Sequence, residues 1–310
     1  MLSFILTAIL FFYPSSTINQ AVFLNQTTEK GFNRDANISY SLGPKLTAKS
    51  AIVFNLENNQ NLFSKNPDEE LPIASITKLM SAIIFLENKN VGWDDWIKIE
   101  STDLIVHSKQ LGDLEPAGLG LVAGQKIKVK DIFNAGLIRS ANDAIMTMSR
   151  LVNLPKEKNF VDLMNGKAKQ IGLTNTNFFE PTGLSQENKS TANDLVKLVV
   201  EVLKKDEIKQ ALINKSYTFL IKNAYNQTSR WTVNSTNKLL SNFVKLNLAK
   251  TGYLPISGYC LAGFSDYQDK QLVVIILGAD SEENRFQETK SLIWWANEQL
   301  NSQMTDSLEQ

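Results

Sequence analysis

Two apolar, strand-forming regions lie near opposite ends of this 310-residue chain, and helical periodicity dominates the sequence between them. Ala51 to Phe54 (AIVF) is followed by the turn Asn58-Asn59 and by Leu62-Phe63, a pattern that predicts a hairpin. Near the other end, Gly258 to Phe264 and Leu272 to Leu277 (LVVIIL) predict paired strands. Strands at both ends around a helical middle predict an α+β domain, in which the N- and C-terminal segments share one antiparallel sheet.

The middle of the chain is expected to be mostly helical. Apolar residues recur every three or four positions from Ile76 to Leu86, which predicts a buried helix whose first turn holds Ser75. Lys130 to Leu151 has the same spacing, although Arg139 to Asn142 interrupts it. The same pattern predicts three further helices, over Phe160 to Ile171, Ala192 to Leu203 and Phe286 to Leu300.

Charge and composition exclude several classes of function. Lys plus Arg and Asp plus Glu each number 32, which argues against a nucleic-acid partner and gives no support for a basic membrane patch. Cys260 is the one cysteine, so no intrachain disulfide forms, and we interpret it as a small core residue. His107 is the one histidine and has no acidic neighbour, which indicates a packing or surface residue and not a triad base. A multi-His zinc site is excluded, and we predict no metal and no cofactor.

The N-terminus has the pattern of a targeting segment. Leu2 to Tyr13 is an uncharged, mostly apolar run of 12 residues, shorter than the roughly 20 residues that span a bilayer. We interpret residues 1–21 as a signal peptide or a short N-terminal anchor, residues 22–47 as a linker and residues 301–310 as a polar tail. The folded domain is predicted over residues 48–300. The protein is therefore expected to be exported, with at most an N-terminal association with a membrane.

Three short motifs follow one another in a fixed order. They are Ser75-Ile76-Thr77-Lys78 (S-x-x-K), Ser140-Ala141-Asn142 (S-x-N) and Lys250-Thr251-Gly252 (K-T-G). Each motif alone is common at helix starts or in turns. Together they indicate an active site, because the first opens a buried helix, the second begins 65 residues later in a helical region, and the third begins 110 residues beyond that, before paired strands.

The chemistry of the first motif explains its spacing. Residues i and i+3 share one face of a helix, so Lys78 can reach the hydroxyl of Ser75. A serine hydroxyl needs a neighbouring base, and a lysine can serve if burial or nearby positive charge lowers its pKa. Lys250 is the candidate for that positive charge. The helix N-terminus at Ser75 also offers a backbone N–H group to a developing oxyanion.

The other motif residues suit the remaining parts of a peptide substrate. Ser140 can relay a proton between either lysine and the leaving amine, and Asn142 can hydrogen-bond the substrate amide. Lys250 and Thr251 suit a terminal carboxylate. Gly252 permits a strand edge to approach the ligand closely.

The segment Pro72-Ile73-Ala74-Ser75-Ile76-Thr77-Lys78-Leu79-Met80 resembles the nucleophile segment of D-alanyl-D-alanine carboxypeptidases, the low-molecular-mass penicillin-binding proteins. Ile138 to Ala144, Pro181 to Leu184 and Lys250 to Tyr253 are similar to later motifs of that family with their flanks. The resemblance covers residues 48–300. It implies the α+β fold of the β-lactamase and DD-peptidase superfamily, with an antiparallel sheet packed against helices.

The resemblance also implies a mechanism and a substrate. Ser75 would attack the carbonyl between the two D-alanines of a peptidoglycan stem peptide, with Lys78 as general base and an acyl-enzyme as intermediate. The amides of Ser75 and Tyr253 would hold the oxyanion, and β-lactam antibiotics would inhibit. Arg285 falls where the family often has an arginine that holds the substrate carboxylate, and a solvated loop arginine is the alternative. The enzyme would act in the periplasm, or at the outer face of the cytoplasmic membrane and the cell wall.

Three other functions are alternatives to this one. A D,D-endopeptidase that cuts peptidoglycan cross-links uses the same residues and stays an alternative. We expect no β-rich C-terminal domain after Leu300, and family members that act as endopeptidases share that shorter architecture. A class A β-lactamase would need an E-x-x-L-N segment, which the chain lacks. A non-enzymatic wall-binding protein would be expected to have lost Ser75 or Lys78.

Two residues next to the third motif depart from the pattern that is usual in the family. Leu254 stands where the family usually has Thr, and Ala249 stands where it usually has Gly.

Overall fold

The computed structural model describes residues 43–104 and 117–308, with side chains up to residue 302. The predicted targeting segment, most of the predicted linker and His107 lie outside the described residues. The described residues belong to one compact unit. Among them, no helix is both long and apolar enough to cross a membrane.

The bounds of the described elements follow in chain order. The strands are β1 (Ser50–Asn55), β2 (Gln60–Lys65), β3 (Leu71–Pro72), β4 (Trp96–Lys98), β5 (Lys126–Lys128), β6 (Lys189–Ser190), β7 (Ser216–Lys222), β8 (Thr228–Asn234), β9 (Leu248–Leu254), β10 (Gly258–Ser265) and β11 (Leu272–Ala279). The helices are α1 (Thr77–Asn88), α2 (Val129–Ile138), α3 (Asn142–Arg150), α4 (Phe160–Gln170), α5 (Ala192–Leu203), α6 (Asp206–Leu212) and α7 (Glu282–Leu308).

A five-stranded sheet in the order β2-β1-β11-β10-β9 joins the two ends of the domain. β1 pairs with β11 in antiparallel register, with Ala51 opposite Ile276, and β9 forms an edge. Every residue of β1 and β11 is buried, because α7 packs on one face of the sheet and α5 on the other. A run such as LVVIIL, without polar alternation, is expected for a strand covered on both faces. The predicted α+β fold with a shared terminal sheet is confirmed.

The predicted helices are present close to their predicted bounds. The series from Lys130 to Leu151 divides into α2 and α3 at the predicted interruption, and α4 and α5 match the next two helices. α7 differs at both ends, since it begins at Glu282 and extends to Leu308. Residues 301–308, assigned from sequence to a polar tail, therefore continue this helix.

A four-stranded sheet, in the order β4-β5-β7-β8, lies within the region predicted to be mostly helical. β4 and β5 contain only three residues each, and runs that short carry little periodicity. The alternation of Tyr217, Phe219 and Ile221 in β7 is the signal for a strand, since these side chains face the core and those between them face solvent.

Candidate active site

The nucleophile candidate lies in a short turn before α1. Ser75 is the middle residue of the 3-10 turn Ala74–Ile76 and is partly buried. Ala74 has a left-handed backbone (φ +46), which prevents α1 from extending back through Ser75. The hydroxyl of Thr77 donates a 2.8 Å hydrogen bond to the Ala74 carbonyl. The helix therefore begins at Thr77, after the serine that the periodicity places in its first turn.

Lys78 joins the nucleophile to two other segments of the site. Its side chain is fully buried, and Nζ donates hydrogen bonds to Ser75 Oγ (2.7 Å), Asn142 Oδ1 (2.6 Å) and the Thr182 carbonyl. Burial lowers the pKa of Lys78 from 10.5 to about 7. A large fraction of the molecules therefore carries a neutral amine at neutral pH, within hydrogen-bond distance of the serine hydroxyl whose proton it can accept.

A carboxylate that sequence reasoning missed, Glu180, holds the loop opposite Lys78. Its oxygens accept hydrogen bonds from the backbone N–H groups of Thr182 (2.7 Å) and Leu184 (2.8 Å) and from Asn188 Nδ2 (2.5 Å). These bonds fix the backbone whose Thr182 carbonyl accepts from Lys78. The one sequence feature that could have indicated this role is the position of Glu180 directly before the P-T-G-L segment.

A second lysine–serine pair lies beside the first. Lys250 is fully buried on β9, and its Nζ donates to Ser140 Oγ at 2.7 Å and to the Thr251 carbonyl at 3.0 Å. Ser140 lies between α2 and α3 with a left-handed backbone (φ +64), and this break in the helical series directs its hydroxyl toward β9. Burial lowers the pKa of Lys250 well below 10.5, and the charges of Lys78 and Arg285 lower it further.

Of the two causes that the sequence suggests for a lowered pKa of Lys78, burial is the one that acts in the structure. From the sequence, either burial or a nearby positive charge, with Lys250 as the candidate, is expected to lower this pKa. In the structure burial has the largest effect, and the negative charges of Glu180 and Asp143 oppose it by raising the pKa. The repulsion between the two lysines appears instead in the lowered pKa of Lys250.

Asn142 and Asp143 open α3 next to Lys78. Asn142 accepts a hydrogen bond from Lys78 through Oδ1, and its backbone N–H donates to the Ala117 carbonyl at 2.7 Å. The Asp143 carboxylate accepts from the backbone N–H of Leu119 at 2.9 Å. The start of α3 therefore helps to position Lys78, the base candidate. The sequence assigned Asn142 to the substrate amide and did not predict its contact with Lys78.

The K-T-G motif lies on the edge strand β9, directly against the nucleophile turn. A Cβ atom on Gly252 would lie 2.9 Å from the Ser75 backbone nitrogen and 3.0 Å from Ala74 Cβ. A side chain here would push β9 away from the turn, so the close approach requires glycine. On the neighbouring residue, Thr251 Oγ1 donates to Thr236 Oγ1 at 2.8 Å.

Arg285 connects α7 to β9. Its side chain is buried, and Nη1 donates to the Gly252 carbonyl at 3.2 Å. The guanidinium lies 5.5 Å from the centroid of the Tyr259 ring, which stacks on the Tyr253 ring at 4.3 Å. The alternative interpretation of a solvated loop arginine is wrong, because α7 begins at Glu282 and buries Arg285 against the sheet.

The structure brings residues from three distant motifs into one cluster. The predicted site residues in it are Ser75, Lys78, Ser140, Asn142, Lys250, Thr251, Gly252, Tyr253 and Arg285. Within residues 43–104 and 117–308, no group of three or more His, Cys, Asp or Glu side chains is arranged to hold a metal ion. The cluster combines a serine with an adjacent buried lysine, a second lysine–serine pair, and basic side chains along a strand edge.

Comparison with known proteins identifies a family. A family model described as D-alanyl-D-alanine carboxypeptidase (peptidase S11) matches residues 37–281. The D-alanyl-D-alanine carboxypeptidase DacF of Bacillus subtilis is 31% identical over 79% of this chain, which spans 61% of its length. The D-alanyl-D-alanine endopeptidase of Haemophilus influenzae is 33% identical over 77% of this chain and 77% of its own length.

A solved structure agrees with this assignment. Penicillin-binding protein D2 of Listeria monocytogenes, in its cefotaxime-bound form, aligns with a TM-score of 0.67 and 28% identity. The alignment covers 82% of this chain and 98% of that one. The family model covers most of the domain and all three motifs. The chain belongs to the D-alanyl-D-alanine carboxypeptidase family, peptidase family S11, a family of serine hydrolases.

Proposed function

We propose that the protein is a serine-type D-alanyl-D-alanine carboxypeptidase, which removes the terminal D-Ala from peptidoglycan stem peptides through an acyl-enzyme on Ser75. The observation that carries the proposal is the 2.7 Å contact between Lys78 Nζ and Ser75 Oγ, in a site where burial lowers the pKa of Lys78 to about 7. Such a pair is a nucleophile with its base. Family membership supplies the substrate class.

Acylation begins with the neutral form of Lys78. Its amine takes the proton of the Ser75 hydroxyl while Oγ attacks the carbonyl carbon of the penultimate D-Ala. The negative charge that develops on the carbonyl oxygen is assigned to the backbone N–H groups of Ser75 and Tyr253. These groups belong to the nucleophile turn and to β9, which pack together at Gly252.

The second lysine–serine pair is assigned to the leaving group. When the amide C–N bond breaks, the proton that Lys78 took from Ser75 passes to the departing nitrogen through the Ser140 hydroxyl, which Lys250 holds in place, and Lys78 is neutral again. The 2.7 Å contact between Lys250 Nζ and Ser140 Oγ supports this route. A water molecule then attacks the ester carbonyl while Lys78 accepts its proton. The bond between the carbonyl carbon and Ser75 Oγ breaks, Oγ takes that proton from Lys78, and the shortened stem peptide leaves.

The carboxylate of the terminal D-Ala is assigned to the β9 side of the cluster. Lys250 and Thr251 lie on that strand, and Arg285 donates a hydrogen bond to its Gly252 carbonyl. Among the described residues, the buried Nε of Arg285 has no hydrogen-bond partner. A carboxylate bound nearby would place a negative charge beside this arginine and raise the depressed pKa of Lys250, so that both side chains would be cationic in the complex.

A second candidate activity is D,D-endopeptidase cleavage of peptidoglycan cross-links. The match to the Haemophilus endopeptidase favours it, since the alignment covers 77% of both chains. Both reactions would use the same nucleophile and base. They differ in the leaving group, which is free D-Ala in one case and the side-chain amine of a second stem peptide in the other.

Two substrates distinguish these activities. The purified protein and its Ser75→Ala variant are incubated with a stem pentapeptide and with cross-linked peptide dimers. Release of D-Ala from the pentapeptide by the wild type alone supports the carboxypeptidase. Conversion of dimers to monomers with the pentapeptide left intact would replace it by the endopeptidase, and inactivity on both substrates would overturn the proposal.

β-Lactam antibiotics are proposed as inhibitors, because they present a strained amide in place of the D-Ala-D-Ala bond. The similar Listeria protein was solved with cefotaxime bound, which supports this proposal. Residues 1–21 are proposed to direct export, which would bring the folded domain to the outer face of the membrane or to the cell wall, where peptidoglycan lies.

A further inference from the structure

The outer face of the four-stranded sheet is strongly basic. Cross-strand pairing places Lys98, Lys126 and Lys222 side by side in one row, and Lys128 lies two residues along β5 on the same face. Arg230 lies on this face of β8. These five residues are termed the basic face: Lys98, Lys126, Lys128, Lys222 and Arg230. None of the four strands contains an Asp or a Glu.

The other face of this sheet belongs to the core, which fixes the lysines outward. Ile127 and Ile221 pair across the strands and are both fully buried, so their neighbours in each strand point to solvent. Like charges opposite each other destabilise a sheet. Among the described residues, Lys128 is the one member of the basic face with an ion-pair partner, Asp94 at 3.1 Å. The zero net charge of the chain therefore conceals a segregated positive surface.

Exposed apolar side chains flank the basic face at one end. Tyr225, in the turn between β7 and β8, is 85% exposed, and Val122, in the turn before β5, is 55% exposed. Lys126 lies between these turns, and its Nζ donates to Asn226 Oδ1 at 3.3 Å. Lysines next to exposed aromatic and aliphatic side chains are typical of surfaces that bind at a lipid interface.

We propose that the basic face docks the protein on the surface of a bilayer that contains anionic phospholipids. The lysines would lie at the level of the phosphate groups, and Tyr225 and Val122 would enter the interface. A soluble polyanion would be attracted by the lysines but would leave both exposed apolar side chains unused. This inference is independent of the proposed catalytic activity.

The distance between the basic face and the catalytic cluster suits such docking. β8 runs from Thr228, which is opposite Lys222, to Asn234, and Thr236 follows two residues later with its hydrogen bond to Thr251. Six residues of strand extend roughly 20 Å. The Lys222 end of the basic face therefore lies roughly 20 Å along β8 from the contact with the K-T-G strand, so a bilayer that meets this end does not cover that strand.

Vesicle cosedimentation tests the proposal. The full chain is mixed with vesicles of equal parts phosphatidylcholine and phosphatidylglycerol, or with phosphatidylcholine vesicles, at low and high salt. Binding should be stronger to the anionic vesicles and should weaken at high salt. The triple variant Lys98→Gln/Lys126→Gln/Lys222→Gln should bind the anionic vesicles more weakly by about fivefold per lysine, on the order of a hundredfold in total.

The variant Lys156→Gln/Lys169→Gln/Lys245→Gln is the matched control, since it removes the same charge from exposed lysines outside the four-stranded sheet. It should bind like the wild type, and both triple variants should keep normal acylation by penicillin. Equal losses in the two triple variants would overturn the inference, as would equal binding to both kinds of vesicle. Inorganic polyphosphate that bound through the basic face, without any vesicle binding, would assign this surface to a soluble polyanion instead.

A fluorescent label at the turn gives a second readout. Cys260 is buried, so Tyr225→Cys would provide the accessible thiol for a polarity-sensitive fluorophore. Its emission should shift to the blue with the anionic vesicles and not with phosphatidylcholine. The same label on Trp294→Cys, at an exposed position on α7, should not shift. A shift at position 294 without one at 225 would show that another surface meets the bilayer.

Discussion

Lys78 Nζ lies 2.7 Å from Ser75 Oγ, and the lysine is fully buried while the serine is only partly so. Burial disfavours the charged amine of Lys78 and lowers its pKa to about 7, whereas Ser75 is only partly buried. The arrangement therefore makes the reactivity of Ser75 depend on the protonation state of one neighbouring group.

The rate of acylation by a labelled penicillin should rise with pH through about 7 and then level off. Below that pH, Lys78 is protonated and cannot accept the Ser75 proton; above it, the neutral base predominates. Lys78→Ala should lose roughly 100- to 10,000-fold of this rate while remaining folded. Rapid-quench rates across pH, with circular dichroism as the folding control, test both. Near-normal acylation by folded Lys78→Ala would rule out this base.

A penicillin adduct should be found on Ser75. β-Lactams open by the same attack on an amide carbonyl, and Ser75 is the hydroxyl held against the buried amine. Peptide mass spectrometry of the trapped adduct locates it, and Ser75→Ala should yield none. An adduct on Ser140 or on any other residue would remove Ser75 from its assigned role.

Gly252→Ala should slow acylation by roughly a hundredfold, the effect typical of small misplacements in an active site. The added Cβ would lie 2.9 Å from the Ser75 nitrogen, so β9 and the nucleophile turn must separate. The matched control is Gly166→Ala on α4, where, apart from the adjacent residues and the backbone of the helix itself, no atom lies within 4 Å of the new Cβ. That variant should acylate normally, and an equal loss in both would indicate a general effect of the substitution.

Glu180→Gln should move the rising limb of the pH–rate profile to lower pH. The charge of Glu180 raises the pKa of Lys78, so its removal lets that pKa fall further and leaves the base neutral in more acidic solution. The loss of an acceptor in the loop should also reduce stability, by roughly 1–3 kcal/mol for each donor left unpaired. Glu187→Gln, on an exposed side chain of the same loop, should change neither. A limb that moves to higher pH would contradict this role.

Lys250→Gln should impair turnover of a peptide with a free terminal carboxylate more than that of its amidated analogue. A charge-assisted hydrogen bond contributes roughly 1.5–3 kcal/mol, so the selective loss should be about ten- to a hundredfold. If Lys250 acted mainly on the pKa of Lys78, both substrates would suffer alike and the profile would move to higher pH. Steady-state rates on both peptides across pH separate the two roles. Wild-type behaviour on both would remove Lys250 from the site.

The sequence predicts the residues of the candidate site because the first motif depends only on spacing within one helical turn and the set depends on the order of the three motifs. The i, i+3 spacing of Ser75 and Lys78 needs only a helical turn, and the three motifs gain meaning from their order. Glu180 escaped that reasoning, since an acidic residue before a proline in a loop has no periodicity. Its significance comes from the donors that converge on it, among them Asn188 and the backbone of Thr182.

The amino-acid sequence by itself determined the α+β order of elements, the helices from α2 to α5, and the sheet shared by the two ends, because apolar periodicity reports which face of each element is buried. Only the tertiary structure decided that burial sets the pKa of Lys78, that α7 buries Arg285 beside Gly252, and that the lysines of β4, β5 and β7 form one row. Burial and cross-strand register depend on contacts between segments far apart in sequence, and three-residue strands such as β4 and β5 carry too little pattern to reveal their partners.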